Sequence, residues 1–234
     1  SRHRTIGRAS HPTAHGEGPR SAALIDLSVG SPVDPVPDSV RKALAISSND
    51  PNAYGYPVTA GTADLRDAIH EWFAAARNVD LRAIGADVVP TVGSKEGVAL
   101  MASLLHFGEG DVVVQPKVSY PTYEIGTQLA GAQTLKVDDV ADADSWKDVP
   151  GVKAVWVNSP CNPTGEVLSA EQMAGIVRAA RAIGAVVLSD ECYALMQWED
   201  DVAEADADTL APPRAPCAPM CVAGPPKAYW CCIR

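Results

Sequence analysis

Two hydrophobic rhythms share this chain. Short apolar or β-branched runs stand at Leu24 to Val29, Val112 to Gln115, Gln133 to Val137, Ala154 to Val157 and Ala185 to Leu188. Each is bounded by turn residues, as buried strands are. Helical spacing fills the intervals. It predicts helices over Leu65 to Ala76, Ser94 to Leu105 and Pro121 to Ala130, and a further one ending at Ile183. Asp38 or Ser39 is suited to cap a helix reaching about Ile46. Pro121 suits a first helical turn, and Ser169 with Gln172 has capping-box spacing. Val88 to Val92 is extended, and Asn49 to Gly61 is a loop.

Strands that alternate with helices, several of them wholly apolar, predict an α/β fold: a mainly parallel sheet covered on both faces. Ligands of such sheets bind beyond the carboxyl ends of the strands. Gly30, Ser94, Tyr120, Asn162 and Asp190 all fall at such ends. Three regions follow. Residues 1–20 are irregular and polar, and 21–198 carry the α/β pattern. Residues 199–234 are an acidic, then Pro-, Ala- and Cys-rich tail without period, expected to lack order or to follow a frame disruption.

Composition narrows the function. Hydrophobic residues are 47% of the 234, enough for a core, and the net charge of −10 disfavours a nucleic-acid surface. No apolar run approaches the ~20 residues a membrane span needs. The polar opening residues lack a secretory core, so a cytoplasmic protein is expected. Of six cysteines, Cys217, Cys221, Cys231 and Cys232 crowd into the tail with a spacing too irregular for a zinc site.

The candidate chemistry sits at the strand ends. Asp190 closes an apolar run, where a carboxylate either caps the next turn or holds a protonated ring nitrogen. Tyr193 is suited to a ring oxygen or to core packing, and Asn162 to the same oxygen or to a plain Asn-Pro-Thr-Gly turn. Ser94 and Lys95 open a helix after Gly93, which makes either an ordinary N-cap or a phosphate site. Tyr120 can stack on a flat ring, and Tyr123 reads as core. Tyr56 offers a phenol to a phosphate across a dimer interface, or is simply an exposed loop aromatic.

The ordered segments Leu27-Ser28-Val29-Gly30-Ser31-Pro32, Tyr56-Pro57, Gly93-Ser94-Lys95-Glu96, Tyr120-Pro121-x-Tyr123, Asn162-Pro163-Thr164-Gly165 and Ser189-Asp190-Glu191-Cys192-Tyr193 resemble the class I/II aminotransferases of fold type I. Asp26 to Val36 and Gly55 to Ala63 are most similar to actinobacterial succinyldiaminopimelate aminotransferases. The resemblance implies a three-layer large domain, pyridoxal 5'-phosphate (PLP) as cofactor, a homodimer, and an amino acid and a 2-oxo acid as substrates. The implied reaction moves an amino group between glutamate and N-succinyl-2-amino-6-oxopimelate, in diaminopimelate and lysine synthesis. It further implies that Gly30 lines the substrate carboxylate site and that Tyr56 meets the partner subunit's phosphate. Ser94 and Lys95 would form the phosphate cup, and Tyr120 would stack on the ring. Asn162 and Tyr193 would bind the ring oxygen, and Asp190 the ring nitrogen.

The chain departs from that family in one respect that bears on activity. The Schiff-base lysine belongs in a Ser-rich segment well after the Asp, followed by two arginines and a small C-terminal domain. Here the only lysine after Asp190 is Lys227, behind two prolines. The expectation is therefore a truncated large domain that is inactive or nearly so, with a non-catalytic PLP-binding or dimerisation module as the alternative.

Overall fold

The computed structural model describes residues 34–194 and 230–232. These fall into two compact units, divided between Tyr56 and Pro57. In the first, α1 (Asp38–Ser47) begins after Pro37, whose fixed φ suits a helix entry, and is followed by turns. No side chain caps it. Asp38, expected as a cap, stands inside the first turn and pairs with Arg41. The expected strand Leu24 to Val29 and Gly30 lie outside the described residues.

The second unit holds α2 (Ala63–Arg77), α3 (Ser94–Leu104), β1 (Val112–Pro116), α4 (Thr122–Leu129), β2 (Gln133–Val137), β3 (Val152–Asn158), α5 (Ala170–Ala182), β4 (Val186–Asp190) and β5 (Trp230–Cys232). The strands run parallel in the order β2-β1-β3-β4-β5. Thr62 caps α2, and Ser169 with Gln172 closes the expected capping box on α5. Val88 to Val92 enters no strand of the sheet. Within the tail, Trp230–Cys232 forms a short strand that composition did not predict, because its partners are the backbone groups of β4.

Alternation along the strands builds two cores. Val112, Val114, Val155, Val157 and Val187 face Met173, Ile176 and Ala180 of α5, with Trp146 filling the end of that layer. Val113, Ala154, Trp156 and Leu188 face Val98 and Met101 of α3 and Tyr123 of α4. The result is the expected three-layer αβα arrangement. On the second face α3 and α4 approach closely at Gly126, where an added Cβ would stand 2.7 Å from the Ala99 carbonyl oxygen. Among the described residues no helix is long and apolar enough to cross a membrane.

Candidate active site

The ends of β1, β3 and β4 build the site. β3 closes on Asn158 and β4 on Asp190, and the two are register partners. Buried Asn158 donates its side-chain N–H to the Asp190 carbonyl at 2.9 Å and accepts the Asn162 backbone N–H at 2.7 Å. One amide thus fixes both the end of β4 and the turn that carries Asn162. Beyond β1, Gln115 Nε2 donates to Ser119 Oγ at 3.0 Å, which ties down the loop leading to Tyr120.

The Asp190 residue is only 5% exposed. Its Oδ2 accepts the Tyr123 hydroxyl at 2.7 Å, and its Oδ1 accepts the Cys192 backbone N–H at 3.2 Å. The Tyr123 ring stacks on Trp156 at 4.6 Å between centroids, and Tyr120 meets it edge-on at 6.0 Å. Burial first, and then the Asp190 carboxylate, push the Tyr123 phenol far above its ordinary range. Tyr123 therefore remains a donor at any working pH. Among the described residues no lysine, arginine or histidine pairs with Asp190.

α3 begins close to the same turn, with Ser94 Oγ 3.3 Å from Cys192 Sγ. Gly93, at φ +82°, supplies a left-handed entry that a side chain would strain. The first N–H groups of a helix lack intrahelical partners, so this start offers donors and the positive end of a dipole. Glu191 leaves the strand in the opposite sense to Asp190. It accepts Ser189 Oγ at 3.1 Å and lies 3.4 Å from Arg77 Nη2.

Residues 22–217 match the family model of aminotransferase class I and II. A probable aminotransferase of Mycobacterium tuberculosis is 41% identical over 186 residues, which cover 80% of this chain and 41% of that protein. The 4-dedimethylamino-4-oxo-anhydrotetracycline transaminase OxyQ of Streptomyces rimosus is 40% identical over 186 residues, covering 80% of this chain and 48% of that one. The solved structure of N-succinyldiaminopimelate aminotransferase from M. tuberculosis is 31% identical with a TM-score of 0.60. That match covers 74% of this chain and 46% of its neighbour. This chain belongs to the class I and II aminotransferase family. It spans under half the length of these relatives.

Class I and II aminotransferases are PLP-dependent enzymes, and the donor set at Asp190 suits that cofactor. A carboxylate this deeply buried costs free energy unless a cation or hydrogen bonds compensate it. Tyr123 and the Cys192 N–H supply two hydrogen bonds, while no cationic side chain among the described residues pairs with it. A protonated ring nitrogen is such a cation.

Of the positions singled out in the sequence of this family member, Asp190, Asn162, Ser94 and Tyr120 are joined through single intermediaries. Asn158 links Asn162 to Asp190, Cys192 links Ser94 to the Asp190 turn, and Tyr123 links Tyr120 to the carboxylate. Tyr193 stands half-buried in the turn after β4, and Lys95 is exposed in the first turn of α3. Tyr56 belongs to the first unit and is fully exposed there. Gly30 lies outside the described residues. Tyr123, expected as core, is core and also the partner of Asp190. Asn158 escaped notice although, like Asp190, it is a polar residue closing an apolar strand. Arg77 carried no local signal, since an arginine ending a helix reads as solvated.

Proposed function

We propose that this chain is the cofactor-binding core of a cytoplasmic, homodimeric PLP-dependent aminotransferase of diaminopimelate and lysine synthesis. Its amino donor and acceptor would be glutamate and N-succinyl-2-amino-6-oxopimelate. The observation that carries the reading is the buried Asp190 carboxylate, hydrogen-bonded by Tyr123 and Cys192 and paired with no cationic side chain among the described residues. The substrate assignment draws support from the 31% identical neighbour that bears that activity in its name.

When bound, PLP supplies an electron sink for bonds at the amino-bearing carbon. The residues of this chain do the rest. Asp190 would hold a proton on the ring nitrogen, and the Tyr123 hydroxyl orients its carboxylate. Asn162 and Tyr193 would hold the ring oxygen, and Tyr120 the ring face. Ser94 and Lys95 would take the phosphate at the start of α3, and Tyr56 would reach the phosphate bound by the partner subunit. Gly30 would line the substrate carboxylate site. The only lysine after Asp190 is Lys227, so these 234 residues bind PLP without covalent attachment and catalyse no turnover by themselves.

Titration of the chain with PLP, followed by absorbance, tests the cofactor site. Saturable binding is expected, weakened at least tenfold by Asp190→Ala, and equal affinity of the two proteins would sink the reading. Borohydride treatment should trap no adduct; one on Lys227 or Lys95 overturns the non-covalent assignment. Calorimetry of the PLP-loaded chain should show N-succinyl-diaminopimelate preferred over diaminopimelate, and no preference removes the substrate while leaving the cofactor site.

A further inference from the structure

Arg77 and Glu191 form a buried pair that the reaction does not obviously need. Their side chains are 3% and 6% exposed, and the closest approach is 3.4 Å. Arg77 Nη1 and Nε are buried without a hydrogen-bond partner among the described residues, and its guanidinium lies 5.5 Å from the Trp72 ring centroid. A buried pair left partly unsatisfied is a poor source of stability, since an apolar pair of similar volume commonly does as well. It serves better as a device that fixes geometry. What it fixes is the residue adjoining Asp190.

We propose that Arg77 is a positioning residue for the cofactor site, acting through Glu191. This rests on the PLP reading of Asp190. The pair clamps the backbone at 191 from the end of α2, and Ser189 braces the same carboxylate from β4. With residue 191 held, Asp190 Oδ1 keeps the Cys192 N–H, and Cys192 keeps its contact with Ser94. Arg77 also offsets the charge of buried Glu191.

The experiment reads the turn directly. Iodoacetamide labelling of the intact chain, resolved by mass spectrometry, reports on Cys192, with Cys161 as internal reference. Both side chains are partly exposed. Arg77→Met, and the double variant Arg77→Met with Glu191→Leu, should label Cys192 at least fivefold faster and leave Cys161 unchanged. PLP affinity should fall at least fivefold in both. The double variant guards against simple misfolding, because it replaces the pair with apolar side chains. Wild-type rates at Cys192 in the double variant, faster labelling of both cysteines together, or unchanged PLP affinity would each overturn the assignment. If the wild-type chain takes up no PLP, the cofactor reading fails while the Cys192 rates still decide the clamp.

Discussion

Tyr123 donates its hydroxyl to Asp190 Oδ2 at 2.7 Å, joining a helix on one face of the sheet to the end of β4 across 67 positions of sequence. The phenol is 1% exposed and packed flat against Trp156, so its orientation is set by the core rather than by solvent. Tyr123→Phe keeps that packing and removes the donor. Leaving a buried carboxylate oxygen short of a partner should cost about 1–3 kcal/mol. Urea unfolding should show a lower midpoint at unchanged slope.

The same contact governs behaviour in alkali. The Tyr123 phenol is raised in the folded state, by burial first and by Asp190 second. Its ordinary value is about 10. The protonated form is thus favoured by folding; that contribution is whole below about pH 10 and is lost as pH rises further. Phenolate absorbance from Tyr123, isolated by difference with Tyr123→Phe, should appear only together with loss of circular dichroism. A separate earlier titration would show that the phenol is not buried as described.

Gly126 sets the distance between α3 and α4. A methyl group there would meet the Ala99 carbonyl oxygen at 2.7 Å, a backbone atom that cannot swing away. Gly126→Ala should destabilise by about 1–3 kcal/mol through overpacking, despite the better helix propensity of alanine. Chemical denaturation decides the sign.

Arg66 and the Val88 backbone N–H hold the Asp87 carboxyl down to about 2. A depressed carboxylate contributes stability above its ordinary value of about 3.9, and that contribution fades as pH falls toward 2. In Arg66→Met the Asp87 titration, followed by NMR, should move upward toward the ordinary value. An unmoved titration would mean that the guanidinium does not set it.

The elements were readable because their causes are local. Capping at Ser169 needs only Gln172 three residues on, and the apolar runs that became β1, β3 and β4 announce burial on both faces. Alternation also sent Asp190 and Glu191 to opposite sides, as the chain itself implies. Asp190 was legible as a candidate because it is a carboxylate closing an apolar strand.

What no local pattern carried was partnership. A core tyrosine became the donor to Asp190, a strand-end asparagine came to hold the neighbouring turn, and a helix-end arginine came to face Glu191. Each of these joins residues from different elements, whose separation depends on how α2, α3 and α4 pack on the sheet. Sequence determined which segments are buried and which residues close the strands, because periodicity and capping act over a few residues. Only tertiary packing decided which of those residues meet, because hydrogen bonds require atoms to converge within about 3 Å, and the spacing of layers is a property of the whole core.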